Sequence, residues 1–590
     1  MAVDLQDPPP TVEPARRGRG STLATAGRPS SRTSRFERGA RGVWVLVLGV
    51  FLGYPLFELF RRSLFDEQGS FSLAYYERLA SNPQLLQAGL NSLWIGTGSV
   101  VGSLLIALPL AYLVSRTDLP GKGFFRTCTV LTFAAPSFIA ALGWILLLGR
   151  NGLINTTLMS VFSLDEPPFD IFTPWGIIFV LSMFLYPLVF LPVAAALNNI
   201  DPALEQAASS LGAGRWRMLR TITLPLVLPS VLGGCVLVFV TGFVIFGPVA
   251  VLGAPVGFET IPMVLLQLIS FPPQIETAAV MSVPVLIVIG LVLLLQKRLV
   301  GSRRFTVIGG KPGGRQLVPL GLAKPFALLF AVTVFVVSLV LPFGILFLTS
   351  FRRALGLPLE RGNLVLLENY QRVFQAPEIA MAFRNSFVLA GGAVVLAVAV
   401  ALLASWLVQR TTARSNAVIG PVMTSSLAFP GAVLGIGLII AFAREPFGLG
   451  GSLAILLIAY TVSALPLAFL YVNAAMSQIG ADVEEASRSL GAGWVMTWRR
   501  ITLPLLRPSI AAVGLLTFVL LFRELEMSIF LYTGANPTTA TVLYELAGES
   551  LFQLVGALAT VILAVNVAVV LLAVRLLGAG STSDPAGEGH

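Results

Sequence analysis

Few residues in this 590-residue chain could do chemistry, and their scarcity narrows the reading. The only histidine is His590, which excludes histidine metal sites, histidine proton relays and Ser-His or Cys-His catalysis. The two cysteines, Cys128 and Cys235, lie inside apolar runs and read as small buried hydrophobes. One cluster interrupts an apolar run near its outer end: Arg523, Glu524 and Glu526. Ionisable residues in such a place are functional candidates by default. The two carboxylates could guide a hard cation, which prefers oxygen ligands. The alternative is an interfacial cluster in which Arg523 and Glu526 pair at i,i+3 and snorkel outward. Glu58, Glu545 and Glu549 are weaker candidates. Asn91 and Asn385 recur at matching places and read as helix caps.

A second set of residues is suited to docking. Residues 205–230 and 484–509 align without a gap at an offset of 279, with fifteen of twenty-six positions identical. Each copy reads as a short helix, a glycine turn and a second helix. Asp201-Pro202 is a good helix start, and Asp482 with Glu485 has capping-box-like spacing. The first helices carry Glu205, Gln206, Ala207 and Ala208, and Glu484, Glu485, Ala486 and Ser487. Gly212 and Gly491 then break the helix, and a basic, aromatic stretch follows. A helical hairpin with a small-residue face and an acidic start suits insertion into a groove on another protein. The bland alternative is an amphipathic loop helix on the membrane surface.

The elements that must position these residues are membrane spans. The chain is 56% hydrophobic and 12% charged, with mean hydropathy +0.85. Its apolar runs are continuous and long enough to cross a bilayer as helices, and lack the alternation a barrel needs. The expected fold is an all-α polytopic membrane protein. Twelve spans are expected, near 43–61, 91–115, 127–149, 173–197, 228–252, 277–296, 325–349, 386–408, 418–442, 452–476, 509–531 and 554–577. With the N-terminus inside, inside segments hold 28 of the 39 Lys and Arg residues, so both termini and both hairpins face the cytoplasm. The net charge of +10 therefore follows membrane topology and implies no nucleic-acid partner.

The repeat extends through the spans: Asn91-Ser92 matches Asn385-Ser386, Arg116-Thr117 matches Arg410-Thr411, and Pro136 matches Pro430. Six spans separate the copies, so the halves run parallel about a pseudo-twofold axis along the membrane normal. The expected organisation is a disordered Arg-rich tail (1–42), a first half (43–296) with its hairpin loop at 198–226, a linker (297–324), a second half (325–577) with its loop at 477–505, and a tail (578–590).

The twin segment resembles the EAA motif of ABC-importer permeases, E-A-A-x3-G-x9-I-x-L-P. The second copy supplies Glu485-Ala486-Ser487, Gly491, Ile501, Leu503 and Pro504; the first supplies Gln206-Ala207-Ala208, Gly212, Ile222, Leu224 and Pro225. Gln206 stands where the motif has Glu, with Glu205 one residue earlier, and Ser487 replaces the second Ala. The chain is most similar to fused double permeases of the ferric-iron (Fbp/Sfu/Afu) type. The resemblance implies a type I ABC importer permease of MetI-like fold, multi-pass in the bacterial inner membrane. It also implies an external substrate-binding protein and two cytoplasmic ATPase subunits gripping the hairpins. The chain has no G-x4-G-K-[ST] phosphate loop, so ATP-Mg belongs to those subunits and no cofactor is expected here. The implied cargo is Fe(III); thiamine, aminoethylphosphonate and polyamines are alternatives within the same machine. An ion-coupled secondary transporter is the remote alternative, and it leaves the twin hairpins unexplained.

Overall fold

The computed structural model describes residues 31–65, 69–300, 317–354, 361–411, 413 and 416–579. Among these residues the chain is helical, with only three isolated β-bridges. Eleven helices are long and apolar enough to cross a membrane, or up to twelve if the bent pair Gly247–Val256 and Ile261–Ile269 is one span.

Several expected spans are broken, and the breaks recur in both halves. Span 3 divides into Lys122–Ala134 and Ser137–Leu148. Span 9, expected as one helix over 418–442, divides into Asn416–Ser425, a short turn and Gly431–Phe442. Pro136 and Pro430 explain both, because the residue before a proline is pushed out of the helical region. Ala135 (ψ 148°) and Phe429 (ψ 108°) are accordingly extended. Spans 5 and 11 also stop early, at Val244 and Phe522, and restart as the short helices Gly247–Gly253 and Ser528–Leu531.

Widened turns sit where a helix must absorb a proline. Gly49–Gly53, Leu219–Thr223, Val336–Val340 and Trp498–Thr502 are π-helical, and each runs into a residue followed by Pro55, Pro225, Pro342 or Pro504. A proline lacks the N–H and crowds the carbonyl four residues back, and the wider turn makes room for it.

The halves exchange their first spans. Tyr54–Leu64 packs on Gly431–Phe442 of the second half, and Leu341–Ser350 packs on Ser137–Leu148 of the first. Glycine permits the approach. A Cβ on Gly143 would lie 2.2 Å from the Pro342 carbonyl oxygen, and one on Gly437 would lie 3.3 Å from that of Pro55.

The expected tail over 1–42 is corrected in part: a helix begins at Ser31 and runs to Leu48, so 31–42 extend span 1, while 1–30 lie outside the described residues. Of the linker over 297–324, the span 6 helix covers its start to Val300 and 301–316 lie outside the described residues. Its end docks on the first half: Val318 donates to the Arg116 carbonyl (2.8 Å), and Leu320 N–H and Lys324 reach the Asp118 carboxylate (2.9 and 3.1 Å). Those two partners, the Leu320 amide foremost, hold the Asp118 carboxyl below its ordinary value. The last helix runs to Ala579, and 580–590 lie outside the described residues.

Candidate functional site

The twin hairpins have one geometry. Helix Pro202–Ser210 turns into Arg215–Met218, and helix Ala481–Ser489 turns into Trp494–Thr497. Gly212 (φ 80°) and Gly491 (φ 84°) occupy the left-handed region at the turn, where a side chain is strained. Ala213 N–H returns to the Ala208 carbonyl and Ala492 N–H to that of Ser487, at 3.0 and 3.1 Å. These are glycine-closed Schellman ends, which satisfy carbonyls the helix leaves open.

Each hairpin projects apolar side chains at its tip. Leu211 is 88% and Leu490 is 89% exposed. Leu204 and Trp216 flank the first, and Val483 and Val495 occupy the matching places in the second, all exposed. Ala207, Glu485, Ala486, Gly212 and Gly491 are also exposed, and Ala208 is half-buried. Glu205 and Gln206 lie on the first hairpin helix. Ser487 is buried and bonds Thr497 across the hairpin (3.0 Å).

Glu484 faces the other way. It is buried and pairs with Arg410, the last residue of helix Pro377–Arg410, at 3.1 Å; it also accepts the Thr502 hydroxyl at 3.2 Å. Arg410 further donates to the Ile479 carbonyl (2.8 Å). The acidic doublet is therefore divided: Glu485 faces solvent and Glu484 anchors the hairpin. Sequence reasoning missed Arg410 as a partner, although its recurrence as Arg116 was the available signal.

The four broken spans converge on a cavity of about 320 Å³ between the halves. Pro136, Phe138, Phe184, Val244 and Ile245 line it from the first half, and Pro430, Gly431, Arg523, Glu524 and Glu526 from the second. The expected i,i+3 pair is not how the cluster is used. Arg523 donates to the Ala135 carbonyl, the open end of the first half's broken span 3, and lies over the Phe133 and Phe184 rings at 5.8 Å. Glu526 accepts the Phe246 N–H at 2.7 Å, at the first half's broken span 5. Glu524 accepts the Met527 N–H at 2.8 Å, within its own break. Non-helical backbone inside a membrane must find partners; Arg523 and Glu526 supply them across the half-to-half seam, and Glu524 within its own half.

Asn91 and Asn385 are not helix caps. Helix Pro83–Arg116 starts well before the Asn91-Ser92 pair, and its cap is Asn82, which accepts from Gln84 N–H (3.0 Å). Asn91 donates to the Glu259 carbonyl (2.7 Å) and Ser92 accepts the Ile261 N–H (2.9 Å). Asn385 donates to the Pro537 carbonyl (2.9 Å) and Ser386 accepts the Thr539 N–H (2.9 Å). Each doublet grips the start of the short helix that follows the broken span, Ile261–Ile269 or Thr539–Gly548. Glu58 bonds Arg61 on its own helix at 2.8 Å, and Glu549 is exposed.

A duplicated helical membrane unit with paired hairpins and a seam cavity defines a two-half transport pore. The chain belongs to the family of binding-protein-dependent transport system inner membrane components, whose model matches residues 99–305 and 393–580. It is 26% identical to a chain named as an ABC transporter permease, y4fN of Sinorhizobium fredii, over 92% of this chain and 98% of that one. It is 24% identical to the ferric transport system permease FbpB of Actinobacillus pleuropneumoniae, over 93% of this chain and 80% of that one. A relative named for 2-aminoethylphosphonate transport, PhnU of Salmonella typhimurium, is 30% identical over 38% of this chain and 77% of its own length. The chain is thus a multi-pass inner-membrane transport component, an ABC permease in which both halves of the pathway are fused.

Proposed function

We propose that this chain forms the pathway of an ATP-driven importer for ferric iron delivered by an external binding protein. Two copies of a cytoplasmic ATPase grip the hairpins, and both termini lie on that side. The observation that carries the reading is the pair of matched hairpins with exposed Leu211 and Leu490 at their tips. Exposed apolar tips on a polar, basic element are the kind of anchor that fills a partner's groove. Residues Glu205, Gln206, Ala207, Ala208 and Gly212, and Glu484, Glu485, Ala486, Ser487 and Gly491, form the coupling elements. Within them, the exposed side chains dock and Glu484 fixes the hairpin to the pore. Closure of the ATPase pair draws the hairpins together and turns the seam cavity from inward- to outward-facing. Mg–ATP stays in the ATPase, and this chain does no covalent chemistry.

Two features support iron. Glu524 and Glu526 line the cavity with oxygen donors suited to a hard cation, and long-matching relatives are named for ferric transport. Arg523 on the same wall favours a second reading, an anionic phosphonate, as the name of the shorter-matching relative suggests.

The test is ATPase activity of the complex with its ATPase and binding protein in nanodiscs, with Fe(III), thiamine, a polyamine and aminoethylphosphonate offered in turn. Stimulation by Fe(III)-loaded binding protein, lost on Gly212→Arg plus Gly491→Arg, is the expected result. Stimulation by an organic cargo alone overturns iron and keeps the machine. Absence of any associating ATPase overturns the importer.

A further inference from the structure

Span 8 carries a polar clamp at each end. It is one unbroken helix, Pro377–Arg410. At its inner end Arg410 holds Glu484 of the hairpin and the Ile479 carbonyl just before it. Both side chains of that pair are under a tenth exposed, at 9% and 5%. At its outer end Asn385 and Ser386 hold the backbone of Pro537 and Thr539. The Thr539 hydroxyl in turn reaches the Phe522 carbonyl, 3.4 Å away, beside the break that carries Arg523. The clamps stand about 38 Å apart at 1.5 Å rise per residue, more than the hydrocarbon thickness of a bilayer.

The helix between them is packed to stay straight. Ala390, Ala393, Ala397, Ala401 and Ala404 are fully buried, and span 8 lies along span 10. Small residues on such a face let the backbones approach closely. An ion pair withdrawn from water, with other valences of both members also bonded, is a stiff joint; an exposed pair would be a loose one. The first half repeats the outer clamp and places a buried arginine at the same inner helix end. Helix Pro83–Arg116 ends on a buried Arg116, and Asn91 and Ser92 grip Glu259 and Ile261.

We infer that spans 2 and 8 are transmission rods. The arginine end moves with the hairpin, and the Asn-Ser end moves the short helix that follows the broken span, which in the second half reaches the Phe522 carbonyl beside the break lining the seam cavity. Arg410, Asn385 and Ser386 are positioning residues in this device, touching neither ATPase nor cargo. The inference rests on the importer reading, because the hairpin must be displaced by something for the rod to carry anything.

The experiment uses the full complex in nanodiscs, with spin labels at Ser270→Cys and Glu549→Cys in a Cys128→Ala, Cys235→Ala background. These two labelled positions are exposed and follow the two short helices Ile261–Ile269 and Thr539–Gly548. The label distance is read without nucleotide and after vanadate trapping, beside the ratio of stimulated to basal ATP hydrolysis. Arg410→Gln cuts the inner clamp; Asn385→Ala with Ser386→Ala cuts the outer one. Either cut is expected to lower the ratio at least tenfold and to reduce the trapping-induced distance change to the part that span 2 alone produces. Combining them adds nothing further, since both sever one rod, and Arg410→Lys restores part of the ratio. A distance change left undiminished by either cut, or effects that multiply, overturns the rod. Should Arg410→Gln fail to assemble, Ser386→Ala alone decides: unchanged movement and ratio overturn the proposal. An unaltered chain that binds no ATPase sinks the importer reading and the rod with it, whereas a working importer with movement intact after the cuts sinks only the rod.

Discussion

The hairpin face of the molecule is duplicated almost without change, while the seam between the halves is not. Gly212 and Gly491 share one backbone conformation, and Leu211 and Leu490 are equally exposed. At the seam, the positions equivalent to Arg523, Glu524 and Glu526 are Val244, Ile245 and Gly247. The contrast follows from what each surface meets. On the importer reading proposed above, two hairpins that meet two copies of one partner are held to one shape. The seam is where the halves meet each other, so a donor on one side needs an acceptor on the other. Arg523 and Glu526 of the second half use the open backbone of the first in that way. Such complementarity favours divergence.

The exchanged first spans give the largest test of how far the symmetry extends. A methyl added at Gly143 meets the Pro342 backbone at 2.2 Å, while one at Gly437 meets that of Pro55 at 3.3 Å. Backbone cannot rotate away, so Gly143→Ala is expected to cost at least the ~3 kcal/mol upper end of overpacking, and Gly437→Ala about 1 kcal/mol. Thermal unfolding of the solubilised chain should rank them in that order. Equal losses would mean the two crossings are alike after all.

The hairpins supply the next test. Leu211→Asp and Leu490→Asp replace exposed side chains, so neither should change thermal stability. Each should weaken ATPase association about tenfold, or ~1.4 kcal/mol. A large inequality between them would break the picture of two equivalent docks.

What the sequence made legible follows the same division. The hairpins could be read because their information is local: a glycine at the turn, a cap, and a second copy to confirm the spacing. The spans could be read from apolar length. The breaks at Pro136 and Pro430 were marked by proline; that at Ile245 lies just before Gly247-Pro248 and that at Arg523 coincides with the charged cluster, but both were read through because apolar residues resume on the far side. Asn91 and Asn385 looked like caps because the apolar run begins there. The helices begin earlier, at Pro83 and Pro377, which turns both asparagines into mid-helix donors. Glu484 could not be told from Glu485, since the choice depends on Arg410, 74 residues away.

The seam asymmetry is tested more gently by Glu526→Gln. The amide oxygen still accepts the Phe246 N–H, but the other arm offers the cavity an NH2 donor in place of a carboxylate oxygen. Cargo uptake should fall several-fold while ATPase association stays as it was. A matching loss of association would place Glu526 in the docking pathway and blur the division between the two surfaces.

The smallest effect concerns the strap that crosses from one half to the other. The Leu320 amide and then Lys324 lower the Asp118 carboxyl from its ordinary value, and their bonds pin the end of the linker beside Arg116. A carboxyl depressed by folding contributes fully above its unfolded value, about 3.9 for aspartate, and loses that contribution as pH falls through its own lower value. Protection of the Leu320 amide from hydrogen exchange, corrected for intrinsic rate, should therefore be flat from neutral pH down to the ordinary carboxylate range and decline below it. Asp118→Asn should remove the decline and leave lower protection throughout. Because Asp118 is open to solvent, added salt should also loosen the Lys324 contact while sparing the Leu320 bond. Protection that ignores both pH and the substitution would mean the strap is held by the Val318 backbone bridge alone, and that the link between the halves owes nothing to charge.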